Sequence, residues 1–83
     1  MAQPPKKSAV RVYTTQTCPY CVMAKQFLHD NKIDFEEIDV SRHPDKGQEM
    51  VRKSGEMGVP QIEIGDTIIV GFDKAALKKV LKI

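Results

Sequence analysis

Short β-favouring runs alternate with helically spaced apolar positions along most of the chain. Val10, Val12 and Tyr13 predict a strand over Ala9–Thr15. Ala24, Phe27 and Leu28 then recur at i, i+3, i+4, the stripe of a helix with one buried face, from Pro19 to Asn31. Proline suits the first helical turn, where its missing N–H has no intrahelical partner to lose. Phe35–Val40 reads as a second strand. A second helix runs from Pro44 to Ser54 with a thin apolar stripe, mainly Met50 and Val51. Asp45 in its first turn complements the helix dipole, and Gly55 ends it. Gln61–Ile64 and Thr67–Val70 are short strands joined by Gly65-Asp66, a hairpin signal. Gly71 breaks the strand, and Asp73 caps a last helix carrying Leu77, Val80 and Leu81.

The order βαβαββα is that of an α/β domain. Its first βαβ unit implies two parallel strands joined by a right-handed crossover, and the later hairpin adds antiparallel strands. The expected architecture is a four-stranded mixed sheet flanked by three helices. With 83 residues the chain holds one domain, expected over residues 9–83, preceded by a disordered tail over 1–8. The net charge of +2 is too small for the concentrated basic face of a nucleic-acid binder. No stretch approaches the roughly 20 apolar residues that span a bilayer. Met1–Ser8 contains Pro4, Pro5, Lys6 and Lys7 but no apolar run, unlike a signal peptide. A cytoplasmic monomer without nucleic-acid or membrane partners is the expectation.

Two cysteines, Cys18 and Cys21, stand two residues apart. A disulfide between them would close a tiny loop and remove little chain entropy, so it would be a poor staple. A Cys-x-x-Cys pair close to a βαβ pattern is instead the signature of thioredoxin-like redox chemistry. Cys18 falls where the first strand gives way to the first helix. Unpaired N–H groups and the positive end of the helix dipole stabilise a thiolate there, and thiolate is the attacking species in disulfide exchange. Cys21, one turn deeper, can reach back to Cys18. Structural zinc requires four ligands, and the only further candidates, His29 and His43, fit no usual finger spacing, so no metal is expected. His29 reads as a surface residue, and Lys74, Lys78, Lys79 and Lys82 as the solvated face of the last helix.

Three segments together resemble the glutaredoxins: Val12-Tyr13-Thr14-Thr15-Gln16-Thr17-Cys18-Pro19-Tyr20-Cys21, Gly58-Val59-Pro60, and Val70-Gly71-Phe72-Asp73. The resemblance runs from about Ala9 to Ile83 and implies a thioredoxin-like fold and a glutathione-dependent disulfide oxidoreductase. The expected substrates are protein disulfides and glutathionylated proteins. Glutathione would be the co-substrate, with no tightly bound cofactor. Cys18 would be the nucleophile and Cys21 the thiol that resolves the mixed disulfide. Tyr20 would pack beside bound glutathione. Val59 would offer its backbone N–H and C=O to glutathione like a short added strand. Pro60 would be cis and sit against the cysteines; an X-Pro bond is where the cis form is least costly. N–H groups around Phe72 and Asp73 would hold the γ-glutamyl carboxylate.

The chain departs from the family pattern at three places. Thr15 stands where many glutaredoxins carry Lys or Arg, Gly58 replaces the Thr of Thr-Val-Pro, and the frequent aspartate pair is reduced to Asp73. A Gly-Phe pair near this turn also occurs in glutaredoxin-like redoxins that serve ribonucleotide reductase and are recharged by thioredoxin reductase. That electron-donor role is the alternative expectation. An iron–sulfur carrier built on Cys18 and glutathione is a third, which Pro19 disfavours.

Overall fold

The computed structural model describes residues 10–82. The expected tail over 1–8, and Ala9 at the start of the first strand, lie outside the described residues. The elements are β1 (Val10–Thr14), α1 (Pro19–Asp30), β2 (Glu36–Asp39), α2 (Pro44–Ser54), β3 (Gln61–Ile64), β4 (Thr67–Val70) and α3 (Lys74–Leu81). They form one four-stranded sheet in the order β2-β1-β3-β4. β1 lies parallel to β2 and antiparallel to β3, and β3 pairs antiparallel with β4. This is the four-stranded mixed sheet that the order of elements implied, in the thioredoxin-like arrangement that the resemblance implied.

Alternation along β1 divides the molecule into two layers. Val10 and Val12 join Ala24 and Leu28 of α1, Ile62 of β3, Ile69 of β4 and Leu77 of α3 in the main core. Complete burial of a leucine such as Leu28 contributes about 1.5–3 kcal/mol. The opposite face of the sheet is more polar. Tyr13 is buried there, donates its hydroxyl to Glu63 Oε1 at 3.3 Å, and shares that carboxylate with Lys53 of α2. Burial first, and then the Glu63 charge, push the Tyr13 phenol above its ordinary pKa.

Element ends follow local chemistry. Asn31 caps α1 rather than extending it: its side-chain amide donates to the Phe27 carbonyl at 2.8 Å. The second strand is shorter than the Phe35–Val40 expected, because Phe35 packs against the core instead of joining the ladder. α2 spans the residues that its proline and glycine marked, although Met50 is its one fully buried side chain. Gly55 closes it at φ +77°, in the left-handed region that glycine enters without a Cβ penalty. β3 and β4 are joined through Gly65-Asp66, with Ile64 opposite Thr67.

Candidate functional site

The β1–α1 junction positions the two cysteines. Cys18 is the N-cap of α1, with Pro19 as the first helical residue. Its sulfur accepts the Cys21 backbone N–H at 3.2 Å, where a serine or aspartate oxygen would ordinarily cap the helix. The Cys18 carbonyl accepts the N–H groups of Cys21 and Val22 at 3.1 and 3.3 Å. The first turn therefore directs its donors toward Cys18. Both cysteines are free thiols, Cys18 half-buried and Cys21 buried.

Cys21 is only 1% exposed because it extends the buried stripe of α1 one turn toward the N-terminus, in line with Ala24 and Leu28. That spacing was present in the sequence and distinguishes the two thiols before any geometry is known. Burial, and then a side-chain hydrogen bond with Cys18, push the Cys21 thiol up to about 12. At neutral pH Cys21 thus keeps its proton, and the exposed edge of the pair belongs to Cys18.

The second wall of the site comes from the other half of the chain. The Cys18 thiol donates to the Val59 carbonyl at a sulfur–oxygen distance of 3.7 Å. The Val59–Pro60 bond is cis, and Pro60 is buried. Gly71 donates its N–H to the Pro60 carbonyl at 2.8 Å, which ties the turn after β4 to the segment facing Cys18. Gly71 adopts φ +86°. Asp73 caps α3 through its side chain, accepting the Ala76 N–H at 3.1 Å. Phe72 points its ring at Phe27 of α1, edge to face with centroids 6.0 Å apart. Phe72 therefore presents backbone rather than side chain to the turn. The N–H groups of Val59, Phe72 and Asp73 have no hydrogen-bond partner among the described residues.

The arrangement brings Cys18, Cys21, Val59 and Pro60 into one cluster and places Phe72 and Asp73 one hydrogen bond away from it. Tyr20 stands beside the cluster on the first turn of α1, 62% exposed. Gln61 was not anticipated. It is fully buried directly after Pro60, and its amide donates to the carbonyls of Glu56 and Gly58. His29, the α3 lysines Lys74, Lys78 and Lys79, and the C-cap Lys82 lie on the exposed surface, as their positions suggested. No grouping of three or more potential metal ligands occurs among the described residues.

The glutaredoxin family model matches residues 10–69, which hold both cysteines and the Val59-Pro60 segment. The chain belongs to the glutaredoxin family. It is 47% identical over 64 residues to a glutaredoxin of Pseudomonas aeruginosa, covering 77% of this chain and 76% of that one. Among solved structures it resembles the glutaredoxin of Archaeoglobus fulgidus (TM-score 0.83, 26% identity, 90% and 87% of the two chains). It also resembles the glutaredoxin-like NrdH-redoxin of Escherichia coli, described as having a thioredoxin-like activity profile (TM-score 0.76, 28% identity, 86% and 92%). Family and fold make this glutaredoxin a thiol–disulfide oxidoreductase. No helix among its described residues is long and apolar enough to cross a membrane.

Proposed function

We propose that this glutaredoxin uses Cys18 and Cys21 to reduce protein disulfides and glutathione mixed disulfides, with glutathione as its reductant in a reducing compartment such as the cytoplasm. The observation that carries the reading is the position of Cys18 between two sets of backbone groups. The first turn of α1 donates to its sulfur, and Val59 stands across from it with an N–H that has no partner among the described residues. One set favours the thiolate, and the other can pair with the backbone of a peptide that carries the target sulfur.

The Cys18 thiolate attacks one sulfur of the substrate disulfide. An S–S bond forms to Cys18 as the substrate S–S bond breaks, and the departing sulfur leaves as a thiolate that takes a proton from water. For a protein disulfide, Cys21 loses its proton and attacks Cys18, forming the Cys18–Cys21 disulfide and releasing the second substrate thiol. This step is intramolecular and outpaces an external thiol. Two glutathione molecules then return the pair to the dithiol and leave as oxidised glutathione. For a glutathionylated protein, Cys18 takes the glutathione, the protein leaves as a thiol, and a second glutathione regenerates Cys18. Val59 would align the glutathione backbone, the N–H groups of Phe72 and Asp73 would receive its γ-glutamyl carboxylate, and Tyr20 would cover its exposed side.

A second reading is an electron donor recharged by thioredoxin reductase. It is favoured by the likeness to NrdH-redoxin and by the Gly71-Phe72 pair. NADPH oxidation coupled through glutathione and glutathione reductase, compared with thioredoxin reductase alone, separates the two. Turnover in the first system supports glutathione dependence, and turnover confined to the second replaces it with the donor role.

A further inference from the structure

The Val59 backbone can meet a substrate only if the loop from Gly55 to Pro60 holds its course. Several of the loop's polar backbone groups are held. The Ser54 hydroxyl oxygen accepts the Glu56 N–H at 3.1 Å. The Gln61 amide nitrogen donates to the Glu56 carbonyl and to the Gly58 carbonyl, each at 2.9 Å. Gly71 holds the Pro60 carbonyl from the far side. Gln61 thus grips two carbonyls two residues apart, immediately before Val59, from inside the protein, where it has no exposed surface.

The chemistry at this position is demanding. Two acceptors converge on one point, so the side chain must supply two N–H donors from a single neutral nitrogen. Among uncharged side chains only the amides of Asn and Gln do so, and Asn is one methylene too short to span the same gap from β3. A carboxylate would set negative charge against two carbonyl oxygens, and an alkyl chain would leave the Gly58 carbonyl without its donor and the Glu56 carbonyl with the Ser54 hydroxyl alone. Gln61 Oε1 is itself buried without a partner, so this side chain is kept although half of its hydrogen-bonding capacity is unused. The core alone would be better served by a hydrophobic residue here.

We infer that Gln61 is a positioning residue: its buried amide sets the Glu56–Gly58 turn and thereby aims the Val59 backbone at the peptide part of the substrate opposite Cys18. Gln61 touches no reacting atom. It acts through the loop, so its loss is felt by substrates that pair with Val59 and not by a disulfide that lacks a peptide backbone. The inference rests on the proposed role of Val59 in substrate binding.

The test compares wild type with Gln61→Met, which keeps length and loses both donors, on two substrates. One is a glutathionylated peptide. The other is 5,5′-dithiobis(2-nitrobenzoate), an aromatic disulfide reduced by the dithiol to two thiolates as Cys18 and Cys21 become a disulfide. Gln61→Met should raise KM for the glutathionylated peptide about tenfold with kcat within twofold of wild type, and leave the aromatic disulfide rate unchanged. Amide hydrogen exchange should accelerate at Glu56 and Gly71, whose N–H groups are held within the loop and across it, and stay unchanged in α1. Gln61→Leu guards against a defect peculiar to methionine and should behave alike. Equal losses on both substrates would reduce Gln61 to a packing residue and overturn the inference, as would an unchanged KM. Should wild type itself turn over neither substrate, the oxidoreductase reading of Cys18 falls; unchanged exchange at Glu56 and Gly71 would then also overturn the positioning role, and faster exchange there would uphold it.

Discussion

Raising the pH is the perturbation that tests the asymmetry between the two thiols. Burial and the bond with Cys18 lift Cys21 from an ordinary 9.0 to about 12. The sign is that of a group that holds its proton longer in the folded protein. Below pH 9 it is neutral in both the folded and the unfolded chain. Between 9 and 12 the unfolded thiol ionises while the folded one does not. At pH 7 a thiol of the ordinary value is about one part in 10² thiolate, whereas Cys21 is about one part in 10⁵, a deficit of ~10³-fold in the reactive species. Its 1% exposure lowers access further. Reduced protein pulsed with iodoacetamide at pH 6–10, then digested and quantified by mass spectrometry, gives a rate for each cysteine. An unstructured cysteine peptide serves as the reference. Cys21 should react at least ~10³-fold more slowly than the reference at pH 7. Its rate should climb about tenfold per pH unit without levelling off by pH 10, while the reference levels off near 9. A Cys21 rate within tenfold of the reference at pH 7, or a plateau near pH 9, would refute the reasoning.

Cys21→Ser should lose most protein-disulfide reduction yet keep substantial deglutathionylation, and Cys18→Ser should lose both; rates on a disulfide-bonded protein and on a glutathionylated peptide, measured side by side, decide it. Asp73→Ala should remove the α3 cap at a cost of about 1 kcal/mol, a fall in Tm of about 4–8 °C for a domain of this size. Asp73→Asn, which can cap equally, should leave the melting curve in place.

The order of elements was legible because each carries its own period. β1 alternates, α1 repeats its apolar residues every turn, and proline and glycine bracket α2. The strand boundary at Phe35 was not, because packing against the core and joining the ladder favour the same residue types. The cysteines were legible as a motif, and the cap at Asp73 as a residue type in its usual place. Gln61 was not, since a glutamine beginning a strand looks like any polar residue until the preceding loop folds back over it. Its partners, Glu56 and Gly58, lie close in sequence, yet nothing local specifies that their carbonyls converge. The difference between Cys18 and Cys21 lay in between. The spacing of Cys21, Ala24 and Leu28 already placed the second cysteine on the buried face, although the stripe read from the sequence began at Ala24 and continued through Phe27 and Leu28.

The two walls of the site are far apart in the chain, Cys18 and Val59 being 41 positions apart. During synthesis both cysteines therefore emerge well before the segment that faces them. β1, α1 and β2 can assemble as a unit of neighbouring elements, but Val59 arrives only when β3 pairs with β1. Under the proposed function, a growing chain would hold its redox pair first and the backbone that aligns its substrate later. On that reading, acquiring a nucleophile and acquiring selectivity would be separate events in the birth of this molecule, and β3 docking would be the step that joins them.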